Sequence, residues 1–267
     1  MCSPKVIEHV AAHLGPADRP PGTGNKIQVQ KEKGTPLERR FAYVLDLTHP
    51  LPEDFPSAGG EIWLKLENFM SFASHGVNFK RWHVHEHIGT HLDAPIHFSD
   101  CGHTAEQIPV ESLVVPLAVI DIRARASEES DSELTPEDIR GWESRHGPLP
   151  DGCCLAVNSG WDRFATTTRY RNADETGTMH FPGVHINAAQ FLLEERNIIG
   201  LGVDTLSIDH GPSNDFPTHR EWLPSGRWAV EGLANLAKVP PVGATIVVGG
   251  PTIVGATGGP SRIIALA

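Results

Sequence analysis

Apolar positions along the chain follow two different periods. AYVLDLTH (42–49) and EIWLKLENFM (61–70) alternate apolar with polar residues, which predicts strands. LVVPLAVIDI (113–122) is a β-branched apolar run of the length of a buried strand. GCCLAVNSG (152–160) predicts a strand leading into a loop, and IIGLGVDTLSID (198–209) predicts another strand. Helical spacing appears in LTPEDIRGWESRHG (134–147), with Thr135 as N-cap, Pro136 in the first turn and Gly147 at the end. It recurs in HINAAQFLLEERN (185–197), with Asn197 near the end, and in WAVEGLANLAKV (228–239). ATIVVGGPTIVGATGGPSRIIALA (244–267) predicts two strands around a glycine-rich turn. Strands and helices interleave without an internal repeat or a clear linker, so the class is α/β with 41–267 as a single domain. Residues 1–40 are polar and rich in Lys, Pro and Gly. A short helix at about 4–14 is expected there, then an extended arm, partly disordered or wrapped on a neighbouring subunit.

The stretch HVHEHIGTHLDAPIHF (83–98) departs from this pattern. It holds five of the 15 histidines, where random placement would put about one in a window of that length. Ile88, Thr90, Leu92, Ala94, Ile96 and Phe98 share one parity, and His87, Gly89, His91, Asp93, Pro95 and His97 share the other. An extended segment turns the first set to the core and the second to the opposite face. A flat strand would leave residues 87 and 97 about 33 Å apart. To gather the polar set on one ion the chain must bend, and Gly89 and Pro95 stand where bends would do so. Two imidazoles and a carboxylate suit Zn²⁺, Mn²⁺ or Fe²⁺ with positions left open for water and substrate. The competing reading is a polar strand face with surface histidines.

Composition narrows the classes. The formal net charge is −11, an acidic balance that argues against a nucleic-acid partner. The four cysteines, Cys2, Cys101, Cys153 and Cys154, form no CxxC pair and no disulfide framework. MCSPKVIEHVAAHLG lacks a basic region followed by a long apolar run, so no signal peptide is expected. No stretch approaches the roughly 18 apolar residues of a membrane span. A cytoplasmic protein with no membrane partner is the expectation. There is no GxSxG elbow, and Cys153–Cys154 sit in an apolar run rather than beside an activating base.

HEHIGTHLDAPIHF (85–98) resembles the HxGTHxDxPxHF signature of the cyclase family of metal-dependent hydrolases, which includes bacterial kynurenine formamidase and isatin hydrolase. The resemblance runs from about residue 41 to the C-terminus. It implies metal binding by His87, His91 and Asp93, and an acid/base role for His97. In the formamidase branch a later histidine, followed twelve positions on by a glutamate, completes a second site. FPTHREWLPSGRWAVEG (216–232) has His219 and Glu231 at that spacing, and Asp93 would then bridge two ions. The cofactor implied is Zn²⁺ or Mn²⁺, one or two ions. The resemblance also implies a swivelling β/β/α-type cyclase fold and a homodimer or homotetramer whose subunits lend aromatic residues to a neighbour's pocket.

The function implied is metal-dependent hydrolysis of a C–N amide bond in a small aromatic substrate. A bound metal lowers the pKa of its water from about 15.7 toward 7. Ring opening of isatin or a lactone, a ring-closing or dehydrating cyclase, and a metal-binding protein without catalysis are the alternatives. Trp161, Phe72 and Trp82, with Phe69, are candidate contacts for an aromatic substrate, against a core or dimer-interface role. His83 and His85 are expected on a strand before the loop rather than on the metal. His103 and His210 are candidates for support behind the ligands. Asp204 and Asp209 are candidates to accept the second N–H of a ligand imidazole. GATGGPSR (255–262) is expected to shape the pocket edge, and the insertion 163–183 to cover the pocket as a lid.

Overall fold

A computed structural model describes residues 41–267; the arm at 1–40, with the helix expected at about 4–14, lies outside the described residues. In chain order the strands are β1 (Val44–Asp46), β2 (Leu64–Met70), β3 (Phe79–Val84), β4 (His91–Asp93), β5 (Val114–Asp121), β6 (Glu133–Leu134) and β7 (Cys153–Asn158). They continue with β8 (Gly183–Val184), β9 (Ile198–Val203), β10 (Trp228–Glu231), β11 (Ala244–Gly249), β12 (Gly258–Pro260) and β13 (Arg262–Leu266). The α-helices are α1 (Phe72–His75), α2 (Arg123–Glu128), α3 (Pro136–His146), α4 (Ile186–Glu195) and α5 (Pro217–Trp222).

Nine strands form one mixed sheet in the order β1-β13-β11-β5-β7-β9-β10-β4-β12. Its centre, β5-β7-β9-β10, is parallel, and antiparallel strands flank it on both sides. The mixed α/β class expected from the sequence is therefore the observed one. The apolar runs explain the centre. All six residues of β7 are buried, because Cys153, Leu155 and Val157 face one core while Cys154 and Ala156 face the other. The first core lies under α3 and α4 and includes Ile139, Trp142, Phe191 and Leu192. The second holds Leu47, Leu92, Trp228 and Ile246. Helix α3 starts as its sequence predicts. Thr135 accepts the Asp138 N–H, and the Asp138 carboxylate accepts the Thr135 N–H in return.

Two expectations are corrected. Residues 228–239 are not a helix: Trp228–Glu231 form β10, and only Leu236–Lys238 make a single 3-10 turn. Trp228 and Val230 fill one core and Ala229 the other, so the segment is apolar on both faces, and a short apolar run of that kind has no diagnostic period. Pairing with β9 on one side and β4 on the other decides the conformation. The C-terminal stretch holds three strands rather than two, because Gly258–Pro260 add β12 to the sheet beyond β4.

Candidate metal centre and active site

The histidine-rich segment folds as a bend followed by a short strand. Gly89 takes φ +64°, and Leu51 Cδ1 lies 2.7 Å from where a Cβ would stand, so both backbone and space call for glycine. The chain then enters β4, held between β10 and β12. The register sets His91 opposite Glu231 and Asp93 opposite Gly258. Directly opposed residues of an antiparallel pair share a face, which places the His91 and Glu231 side chains together. Pro95 opens a 3-10 turn that folds His97 back over His87, with ring centroids 3.8 Å apart. Helix α5 delivers His219 from another direction.

These side chains converge. His87 Nδ1 lies 2.7 Å from Asp93 Oδ1, and His91 Nε2 lies 3.3 Å from the same oxygen. His91 Nε2 is also 3.4 Å from Glu231 Oε2. His219 Nε2 lies 3.2 Å from Glu231 Oε1 and 3.7 Å from Asp93 Oδ2. The outer nitrogens of two rings are held by acceptors. His91 Nδ1 lies 3.0 Å from the Gly89 carbonyl oxygen, an acceptor only, so it donates, and Nε2 is the nitrogen turned to Asp93 and Glu231. His219 Nδ1 donates to Asp209 Oδ2 at 2.6 Å, which likewise turns Nε2 to the cluster. His91 Nε2 and Asp93 Oδ2 are buried without a hydrogen-bond partner. Buried nitrogens and carboxylate oxygens crowded in this way are costly unless positive charge, as protons or a metal ion, stands between them. The donor set, nitrogen and oxygen without sulfur, therefore fits a divalent ion of the zinc or manganese kind.

The titration of the groups themselves points the same way. Burial lowers the His91 pKa, but Asp93 and Glu231 outweigh it and hold it up at about 10. His219 is raised well above the imidazole range against burial by Asp209, Asp93 and Glu231. Burial raises the Asp93 pKa, yet His91, His219 and His87 carry it well below the carboxylate range. Positive charge is what this cluster demands, and metal binding would supply it in place of protons. His97 runs opposite. Burial first, with His87 and His219 adding to it against Asp93 and Glu231, brings its pKa down to about 4.

A cavity of about 790 Å³ opens above the cluster. His87, His97, His219 and Glu231 form part of its lining, with Trp63, Phe98, Phe181 and Phe216 on the walls. Those aromatics were not singled out by the sequence, although Phe98 closes the signature and Phe216 stands three residues before His219. The three aromatic candidates lie elsewhere. Trp161 is 2% exposed in a third core with Phe55, Tyr170 and Phe181, and its Nε1 donates to the Tyr170 carbonyl. Trp82 and Phe72 are 71% and 68% exposed and do not line the cavity. A strand-end tryptophan satisfies either role in sequence; packing assigns this one to the core. Trp161→Ala should cost about 3–5 kcal/mol in urea unfolding. Unchanged stability with a raised KM would return Trp161 to the pocket.

The remaining candidates separate cleanly. Asp209 holds His219, whereas Asp204 accepts the Ser159 hydroxyl and the Trp161 N–H, fixing the loop after β7. His83 lies on exposed β3 beside Glu67, and His85, just after β3, stacks on Trp63 at the cavity wall. His210 lines the cavity and lies 3.2 Å from Glu133. The His103 carbonyl accepts the Ile96 N–H beneath the 3-10 turn. From the insertion, Gly177, Thr178, Met179 and Phe181 reach the cavity.

Comparison with known proteins identifies the family. The cyclase family model matches residues 45–210. The chain is 33% identical over 229 residues to the isatin hydrolase of Roseibium aggregatum, covering 81% of this chain and 85% of that one. It is 28% identical over 192 residues to the kynurenine formamidase of Salinibacter ruber, covering 70% and 79%. The solved structure of isatin hydrolase A from Labrenzia aggregata bound to benzyl benzoate superposes with a TM-score of 0.78 at 33% identity, covering 84% and 93%.

Proposed function

The chain belongs to the cyclase family, and from that premise we propose that it hydrolyses a C–N amide bond of a small aromatic substrate with a divalent metal. One observation carries the reading. The inner imidazole nitrogens of His91 and His219 meet the carboxylates of Asp93 and Glu231 under an aromatic-walled cavity. His87, His91 and Asp93 would hold one ion, and Asp93, His219 and Glu231 a second. The two oxygens of Asp93 face different imidazoles, which supports two ions over one. Zn²⁺ and Mn²⁺ both suit the donors. When bound, the metal supplies a water of lowered pKa and an electrophile for the substrate carbonyl.

The chain's own residues do the rest. Aromatic walls bind and orient a flat substrate and exclude water from it. His97 faces the same cavity, neutral at pH 7, and takes a proton at a ring nitrogen before returning it to the leaving nitrogen. A cyclic aryl amide such as isatin is the first substrate class, since the lining offers stacking surfaces and neutral hydroxyl and amide groups such as Ser207, Ser213 and Asn214. A linear aryl formamide is the second, on the similarity to kynurenine formamidase. Protein purified without added metal should contain zinc or manganese by elemental analysis. It should open isatin faster than it cleaves N-formylkynurenine or a simple lactone. Metal without hydrolysis of any of the three would refute the catalytic reading.

We further propose that 41–267 acts as one catalytic domain, in the cytoplasm, as a homodimer or homotetramer. Among the described residues no helix is long and apolar enough to cross a membrane. Cys101, Cys153 and Cys154 are free thiols, as suits a reducing compartment. Exposed Trp82, Phe72 and Phe79, on or beside the β2–β3 ribbon, support burial against a second copy.

A further inference from the structure

We infer that Thr257 and Glu86 are positioning residues of the metal site: Thr257 fixes the tautomer of His87, and Glu86 fixes Thr257. The inference rests on His87 being a metal ligand, as proposed above. Thr257 lies in the glycine turn GATGGP (255–260), a segment to which the mechanism has so far given no role.

The assignment follows from counting protons. A threonine hydroxyl has one proton to give. The Thr257 hydroxyl donates it to Glu86 Oε2, and the Thr257 backbone N–H donates to that same oxygen at 3.2 Å. With its proton committed, Thr257 Oγ1 can only accept from His87 Nε2, 2.9 Å away. His87 Nε2 therefore carries a ring proton, which leaves Nδ1, 2.7 Å from Asp93 Oδ1, as the nitrogen that a metal would take. The reverse tautomer would set the Nε2 lone pair against Thr257 Oγ1, or take the hydroxyl proton from a carboxylate that two donors already hold, whereas the Nδ1–Asp93 contact is one that a shared cation satisfies. His91 and His219 bind outward to the Gly89 carbonyl and Asp209, and Thr257 is the third such partner.

The same turn makes room for the ring. Gly258 pairs with Asp93 across β12 and β4. A Cβ on Gly258 would lie 2.3 Å from the Leu92 carbonyl oxygen and 2.8 Å from His87 Cε1. Glycine here leaves room for the His87 ring beside the turn while the preceding residue holds its far nitrogen. A segment about 170 residues away in sequence is thereby part of the metal site.

The test is the zinc affinity of the full-length protein, stripped of metal and titrated against a chromogenic chelator. Thr257→Val, which keeps shape and loses the hydroxyl, should weaken zinc binding about 10–100-fold. Thr257→Ser should restore most of it, and Glu86→Ala should weaken binding without touching any ligand. The visible absorption of the Co²⁺-substituted protein should shift in Thr257→Val and return in Thr257→Ser. Parent-like affinity in both Thr257→Val and Glu86→Ala would overturn the inference, as would a serine variant as weak as the valine one. His91→Ala separates the two levels. If His91→Ala loses zinc while Thr257→Val keeps it, only this inference fails. A parent protein that binds no zinc, Mn²⁺ or Co²⁺ refutes the metal site and this inference together. Should Thr257→Val not fold, Glu86→Ala decides.

Discussion

Asp93→Ala should abolish metal binding and hydrolysis together, with turnover reduced at least about 10³-fold. The size follows from the water: one left at its ordinary pKa of about 15.7 supplies far less hydroxide at neutral pH than one lowered to about 7. Asp93 is singled out because it is fully buried and faces three imidazoles at once. Without it Glu231 is the carboxylate left facing the inner nitrogens of His91 and His219. Loss of any one imidazole leaves one half of the proposed pair of sites intact; loss of Asp93 breaks both. The measurement is metal content by elemental analysis beside turnover of an aryl amide, with circular dichroism to confirm folding. A variant that keeps the parent's metal content would refute the bridging role.

His97→Ala should behave differently. Turnover should fall about 10²–10⁴-fold while metal content stays at the parent level. His97 lines the cavity and stacks on His87, close enough to serve a substrate atom held above the ligands. Its pKa, brought down to about 4 chiefly by burial, leaves it neutral through the physiological range. The sign is then fixed: a base of this kind works above its pKa, and its contribution is lost as pH falls through about 4. With metal in excess, that acidic limb should appear in the parent and be missing in the alanine variant. There is a specific rival outcome. Single ligand atoms of His87, Asp93 and His97 lie within 4.8 Å of one another. If His97→Ala loses metal in step with activity, His97 is a ligand rather than a proton carrier. Full turnover would remove it from both roles.

The two predictions rest on residues of unequal visibility in the sequence. His87, His91, Asp93 and His97 lie within eleven positions, in a segment whose parity already separates a polar face from a buried one. His219 and Glu231 are over a hundred residues further on, and only family resemblance tied them to the cluster. Glu231 in particular sits in a segment whose spacing predicts a helix. It is instead buried on β10, opposite His91. Trp161 shows the converse: a position that suggested ligand contact proves to be core.

The chain's own pattern determined the α/β class, the α3 cap at Thr135, the bend at Gly89 and the short-range half of the candidate metal site. These are local, set by period, backbone freedom and side-chain chemistry within a few residues. Tertiary structure alone decided that 228–231 is a strand, that Glu231 faces His91, that Thr257 backs His87, and which aromatics wall the cavity. Each depends on pairing between strands far apart in sequence. Short segments buried on both faces have no period from which that pairing could be foreseen.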